Sequence, residues 1–201
     1  MNKIVKWFLI SIGIIFLIII SCFLLMLYSF SRIFDDMEFY TKQDLIENYE
    51  LKHNEINNLY YYINSIVDRD KFVSVEFGND DNNLEIFHVN VDSIHNSNWD
   101  INIKSEKADS LLNKLGWTNE TLKTLKQKLD SANCISISSG EPVTIGFKRS
   151  GMGMYFYKIF DQSLNDSLQS IYNDGCTYIF YKDNVVLEYG GGAIGPQCFP
   201  K

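Results

Sequence analysis

From Trp7 to Phe30 the chain runs 24 residues without a charged side chain, and only Ser11, Gly13, Ser21 and Ser29 interrupt its apolar character. As a helix rising ~1.5 Å per residue this run is about 36 Å long, enough to cross a hydrocarbon core of about 30 Å with some tilt. It reads as a transmembrane helix over 7–30, preceded by a short N-terminus over 1–6. Trp7 and Tyr28, near its ends, suit the headgroup layer.

Beyond the run, no proline or glycine occurs between Asp35 and Val67. Leu45, Tyr49, Ile56, Leu59, Ile63 and Ile66 keep a four-three spacing if Lys52 fills the missing position, so a long juxtamembrane helix is expected over 31–68. A strict seam of this kind would make a dimeric coiled coil. Ile46, Leu51, Tyr60 and Val67 widen the stripe, which suits a helix packed on its own domain.

The extracytoplasmic domain expected over 69–201 mixes two periodicities. Phe72–Phe77 alternates, Gly78-Asn79-Asp80-Asp81-Asn82-Asn83 is turn chemistry, and Leu84–Val91 alternates again, predicting a hairpin. Leu111, Leu112 and Leu115 predict a helix that Gly116 stops. Thr118-Asn119-Glu120-Thr121 then starts a second helix carrying Leu122, Leu125 and Leu129. Trp117 falls in their junction, where its ring is expected to be buried. Three strands are expected around Ile135 and Ile137, around Val143, Ile145 and Phe147, and over Met152–Ile159. A helix follows over Asp161–Asn173, and the turn Asp183-Asn184 joins a last hairpin over Cys176–Tyr181 and Val185–Tyr189. The fold class is α+β, with a mainly antiparallel sheet and two or three short helices.

Charge orients the anchor. Lys3 and Lys6 precede the apolar run, whereas Arg32 is followed by Asp35, Asp36 and Glu38, so the N-terminus is expected in the cytoplasm and the bulk of the chain outside it. A cleaved signal fits the same pattern. In particular, Ile19-Ile20-Ser21-Cys22 resembles the bacterial lipoprotein processing signal, which implies an alternative anchor lipidated at Cys22. Phe23-Leu24-Leu25-Met26-Leu27 departs from that pattern, because a lipidated cysteine is normally followed by polar sequence.

All 25 acidic residues and 16 of the 18 basic ones follow the run, giving that part a net charge of −9. Such a surface repels phosphate backbones, and Lys123, Lys126 and Lys128 read as one solvated helix face, so no nucleic-acid partner is expected. Cys134, Cys176 and Cys198 allow one disulfide in three alternative pairings, or none. No Cys-x-x-Cys is present to suggest zinc or thiol-redox chemistry.

Catalytic signals are sparse. Ser138, Ser139 and Ser150 are the conceivable nucleophiles, but none sits in Gly-x-Ser-x-Gly, and His53, His88 and His95 all precede them. Glu85, His88, Asp92 and His95 contain metal-ligating types, yet Glu85 and His88 are an odd number of strand positions apart and point to opposite faces. The Asp80–Asn83 string lacks the ladder of a calcium loop. Gly140, the Arg149-Ser150-Gly151-Met152-Gly153-Met154 stretch and the Gly190–Pro196 run read as turns, without phosphate-loop or dinucleotide spacing. No metal or cofactor is expected. A site, if present, is expected on the exposed side of the sheet near Glu141, Lys148 and Arg149.

The leading expectation is a bacterial-type single-pass envelope protein whose acidic domain binds a protein partner or joins an envelope assembly. The rival is a membrane-tethered hydrolase acting on an envelope polymer, with Glu141 or a histidine as acid or base. A signalling stalk is disfavoured, since six residues before the span leave no room for a cytoplasmic output domain.

Overall fold

A computed structural model describes residues 3–35, 38–78, 80, 82–92, 94–191 and 195–200, with only the helical backbone described for 3–6, 8–11 and 30–35. Asn79, Asp81 and positions 192–194 of the glycine-rich run lie outside the described residues. The chain divides into two compact units, 1–38 and 39–201.

The first unit is a single helix, α1 (Lys3–Asp35). Over Ile12–Ser29 it is long and apolar enough to cross a membrane, and none of that stretch is buried by protein. It is a candidate membrane anchor, and a signal sequence has the same properties.

The juxtamembrane helix expected over 31–68 is not continuous: in the second unit it is two helices, α2 (Lys42–Leu51) and α3 (His53–Ile66), which meet at Lys52. The start is written in a capping box missed in the spacing: Thr41 accepts from the Asp44 N–H, and Asp44 Oδ2 accepts from the Thr41 N–H at 2.6 Å. At the break, Lys52 leaves helical geometry (φ −115°, ψ 21°) and pairs with Glu55 at 3.9 Å. The apolar stripe faces inward on both sides of it. Leu45, Ile56, Leu59 and Ile63 are wholly buried, so the stripe packs on the domain itself.

The expected hairpin forms as β1 (Phe72–Phe77) and β2 (Asn83–Val91). Two short strands absent from the sequence reading follow, β3 (Ile94–Asn96) and β4 (Trp99–Asn102), both laid along the same edge of β2. Asp92 and Asp100 adopt positive φ there, which breaks the alternation that announces a strand. Then come α4 (Glu106–Leu115), closed by Gly116 at φ 73°, and α5 (Asn119–Ser131), capped by Thr118. Trp117 is buried between them and donates Nε1–H to the Ile66 carbonyl at 2.8 Å.

The last third gives β5 (Ser136–Ser138), β6 (Val143–Ser150), β7 (Gly153–Ile159), α6 (Asp166–Ile171), β8 (Tyr178–Lys182) and β9 (Val185–Gly190). The helix is shorter than expected because Asn165 caps it, leaving Asp161 in the preceding loop. One nine-stranded antiparallel sheet results, in the order β3-β2-β1-β5-β6-β7-β9-β8, with β4 also on β2. The cysteine pairing left open resolves as Cys176–Cys198, with Cys134 a buried free thiol.

Helices α2 to α5 cover one face of the sheet. Their leucines and isoleucines meet Val73, Val75, Phe87, Ile137, Ile145, Tyr157 and Leu187 in a single core. A polar tie crosses this layer: Tyr157 donates its hydroxyl to the Leu45 carbonyl at 2.8 Å and accepts from Asn48 at 3.1 Å. On the opposite face, Phe160, Leu164 and Tyr172 cover only the outer ends of β8 and β9 around Val186. From β7 to β3 no helix of this unit covers that face among the described residues, and this defines where a ligand or partner has access.

Candidate functional site

Strand alternation assigns the residues of the open face. Opposite the buried Val73, Val75, Ile137 and Ile145 stand Ser74, Glu76, Ser136, Ser138 and Thr144, joined by Met154, Phe156 and Lys158 from β7. They line a groove of about 600 Å³ whose walls include Phe72, Ile86 and the exposed Met152. Gly146 keeps the floor low. A Cβ there would stand 2.0 Å from Ser136 Oγ and 2.4 Å from Met154 Sδ.

The charges on the floor of the groove are paired. Arg149 makes a two-point ion pair with Glu76, Nη2 to Oε2 at 2.6 Å and Nε to Oε1. Glu76 is only 3% exposed, so the pair raises the guanidinium pKa through hydrogen bonding that outweighs its partial burial. Lys158 pairs with Glu188 at 2.9 Å, both mostly buried. Net charge on the floor is therefore near zero, despite the acidity of the whole domain.

Of the three residues expected to mark the site, Arg149 and Glu141 border the groove. Lys148 does not: it falls at a β-bulge opposite Tyr155, and its ammonium lies 5.8 Å from the Phe147 ring centroid, away from the groove. The bulge shifts the alternation by one residue, which the spacing alone did not reveal.

Glu141 also borders a second depression of about 690 Å³ with Tyr60, Asn64, Arg69, Lys71 and Asp161. Here Asp161 donates its backbone N–H to both Glu141 carboxylate oxygens at 3.1 and 3.3 Å, while Tyr60 donates its hydroxyl to Asp161 Oδ1 at 2.6 Å. Burial, with the neighbouring Asp161 adding to it, pushes the Glu141 carboxyl above its ordinary range. Hydrogen bonds from Tyr60 and Glu141 hold Asp161 below its own. The sequence marked Asp161 only as a helix start; its partner comes 20 residues earlier and only the fold brings them together.

Two of the serines are structurally engaged: Ser138 donates to Ser74 Oγ at 2.7 Å, and Ser139 Oγ accepts from the Val73 N–H at 3.0 Å. Ser150 is buried, and its Oγ has no hydrogen-bond partner among the described residues. His53 sits on α3 beside Tyr49, with ring centroids 5.2 Å apart. His88 and His95 lie at the far end of the open face, on β2 and β3. Among the described residues no group of three or more His, Cys, Asp or Glu side chains gathers as a metal cluster.

No family model, curated protein or solved structure matches the chain. The function therefore rests on the geometry.

Proposed function

We propose that the chain is a single-pass membrane protein whose folded domain is an extracytoplasmic binding or assembly module. In this reading residues 1–6 are cytoplasmic, 7–30 cross the membrane, 31–68 lead into the domain and 69–201 carry most of it. The observation that carries the reading is the sheet face left open by the helices of its own unit, with its groove of about 600 Å³. Lys3 and Lys6 before the apolar run support the orientation. The Cys176–Cys198 disulfide supports an oxidising compartment for the domain.

Two measurements test it. An Asn82→Cys variant is expected to react with a membrane-impermeant maleimide in intact spheroplasts; reaction only after lysis reverses the topology. Photo-crosslinking groups at Phe72 and Met152 on the open face are expected to capture one partner in living cells, and a group at Lys123 on the helical side is not. Equal capture from both sides removes the assignment of the face. The intact mass distinguishes an uncleaved anchor from a chain processed and lipidated at Cys22.

A specific observation favours a second reading, a tethered hydrolase of an envelope polymer. Glu141 shares its depression with a second carboxylate, the pairing that acid-base chemistry uses. Both carboxylates are exposed and hydrogen-bonded at the rim, which is why binding stands first. Release of soluble fragments from purified cell-wall polymer by the wild type, abolished by Glu141→Gln, would promote the second reading.

A further inference from the structure

His88 and His95 occupy the same face of the sheet on adjoining antiparallel strands. His95 pairs with Asn90, and Asn90 shares the face of His88 two residues earlier, so the histidines are diagonal neighbours. Diagonal positions lie about 7–8 Å apart, a span that two imidazoles bridge when each places a nitrogen ~2.0–2.1 Å from a common ion. Both histidines line a pocket of about 200 Å³ together with Phe72, Asn90 and Ser97. On the other diagonal Trp99 packs edge-on against the His88 ring, centroids 5.0 Å apart.

Among the described residues His88 Nε2, closed off from solvent, has no hydrogen-bond partner. Buried polar atoms are nearly always satisfied, and an orphaned one asks for a water or an ion.

We propose that His88 and His95 bind one first-row transition-metal ion of the copper and zinc class. Two imidazoles with an amide oxygen from Asn90 and water make an open, exchangeable site, not a closed structural one. Imidazole ligation favours Cu²⁺ over Zn²⁺ and gives no hold on Ca²⁺ or Mg²⁺, which take oxygen donors. Glu85 and Asp92 take no part: with them absent, the site falls below the three-residue cluster that the described residues lack. This inference does not depend on the partner or orientation proposed for the domain.

The test uses the full chain in detergent micelles, titrated with CuSO₄ and ZnCl₂ by calorimetry and tryptophan fluorescence. Cu²⁺ is expected to bind one-to-one and to quench Trp99, with Zn²⁺ competing and Ca²⁺ not competing. Trp99→Phe is expected to lose most of the quenching and to keep the heat of binding. His88→Gln and His95→Gln are each expected to weaken Cu²⁺ binding by about tenfold or more, with His53→Gln leaving it unchanged. His95 is exposed, so its replacement leaves the fold intact even if that of His88 does not. Undiminished binding in His95→Gln, or the absence of saturable one-to-one Cu²⁺ binding at submillimolar concentration, overturns the site.

Discussion

Arg149 reaches past the short strand β5 to hold Glu76 at two points, with Glu76 3% exposed and Arg149 38% exposed. A buried carboxylate is tolerated only with such a partner, so the pair ties β1 to β6 at the centre of the open face. It also leaves part of a guanidinium facing the groove in a fixed orientation.

Removing one member should therefore cost more than removing both. Arg149→Met is expected to destabilise the domain toward the lower end of about 3–5 kcal/mol, because Arg149 is partly in water. Combining it with Glu76→Gln is expected to restore part of the loss, as read by denaturant unfolding of the full chain in detergent. Additive losses would show that the pair is not coupled.

The buried stripe of α3 gives a second expectation. Leu59 has no exposed surface, so Leu59→Ala should cost about 2–5 kcal/mol as a core truncation. The same burial means that Ile56→Cys should give no disulfide-linked dimer under oxidation. A linked dimer with the fold retained would restore the coiled-coil alternative.

Most of the element pattern was legible because the helix and strand periods here are written by leucine spacing and strict alternation. Leu111 to Leu115, Leu122 to Leu129 and Val143 to Phe147 all appear where their spacing puts them. The misreadings share a cause: a local backbone event that resets the period. Lys52 breaks a helix whose apolar stripe continues on both sides, and the bulge at Lys148 turns a supposed site residue away from Arg149. The site was half legible, since Glu141 and Arg149 carried turn and charge signals, whereas Glu76 was only one position in an alternating run and Asp161 only a helix start. Their importance comes from strand order, which pairs β1 with β5 across more than sixty residues of chain.

The disulfide anchors the C-terminal segment. Cys176 and Cys198 are 22 residues apart, and Phe199 next to it packs on Tyr155 and Tyr189 with ring centroids 5.8 and 6.0 Å away. Closing a loop of this length stabilises the fold by about 3 kcal/mol in the chain-entropy account. Reduction, or a Cys176→Ser/Cys198→Ser double variant, is expected to lower the thermal midpoint by several degrees while leaving Cys134 unreactive in the folded state. Burial pushes that thiol up to about 12, which supports its inertness. Rapid alkylation of Cys134 before unfolding would contradict the buried position.

The Glu141–Asp161 pair makes the last expectation a matter of sign. Glu141 has a folded pKa above its unfolded value, chiefly through burial, so its contribution to stability is fully present below the unfolded value and is lost as pH rises through the folded one. Asp161 is held low, first by the Tyr60 hydroxyl, so its contribution is present above the ordinary aspartate value and is lost as pH falls through the depressed one. Of this pair only Glu141 is changing just above the ordinary carboxylate range, and its own contribution falls there as pH rises. Glu141→Gln keeps a neutral acceptor for the Asp161 N–H and cannot ionise, so its thermal midpoint should be flatter with pH in that window. Tyr60→Phe removes the donor that holds Asp161 low, and its loss of stability should be greatest at neutral pH and fade in acid. Thermal unfolding of the three proteins across this range checks both signs, and a wild-type midpoint that rises through the Glu141 window, unchanged by Glu141→Gln, would show that the two carboxylates are not coupled.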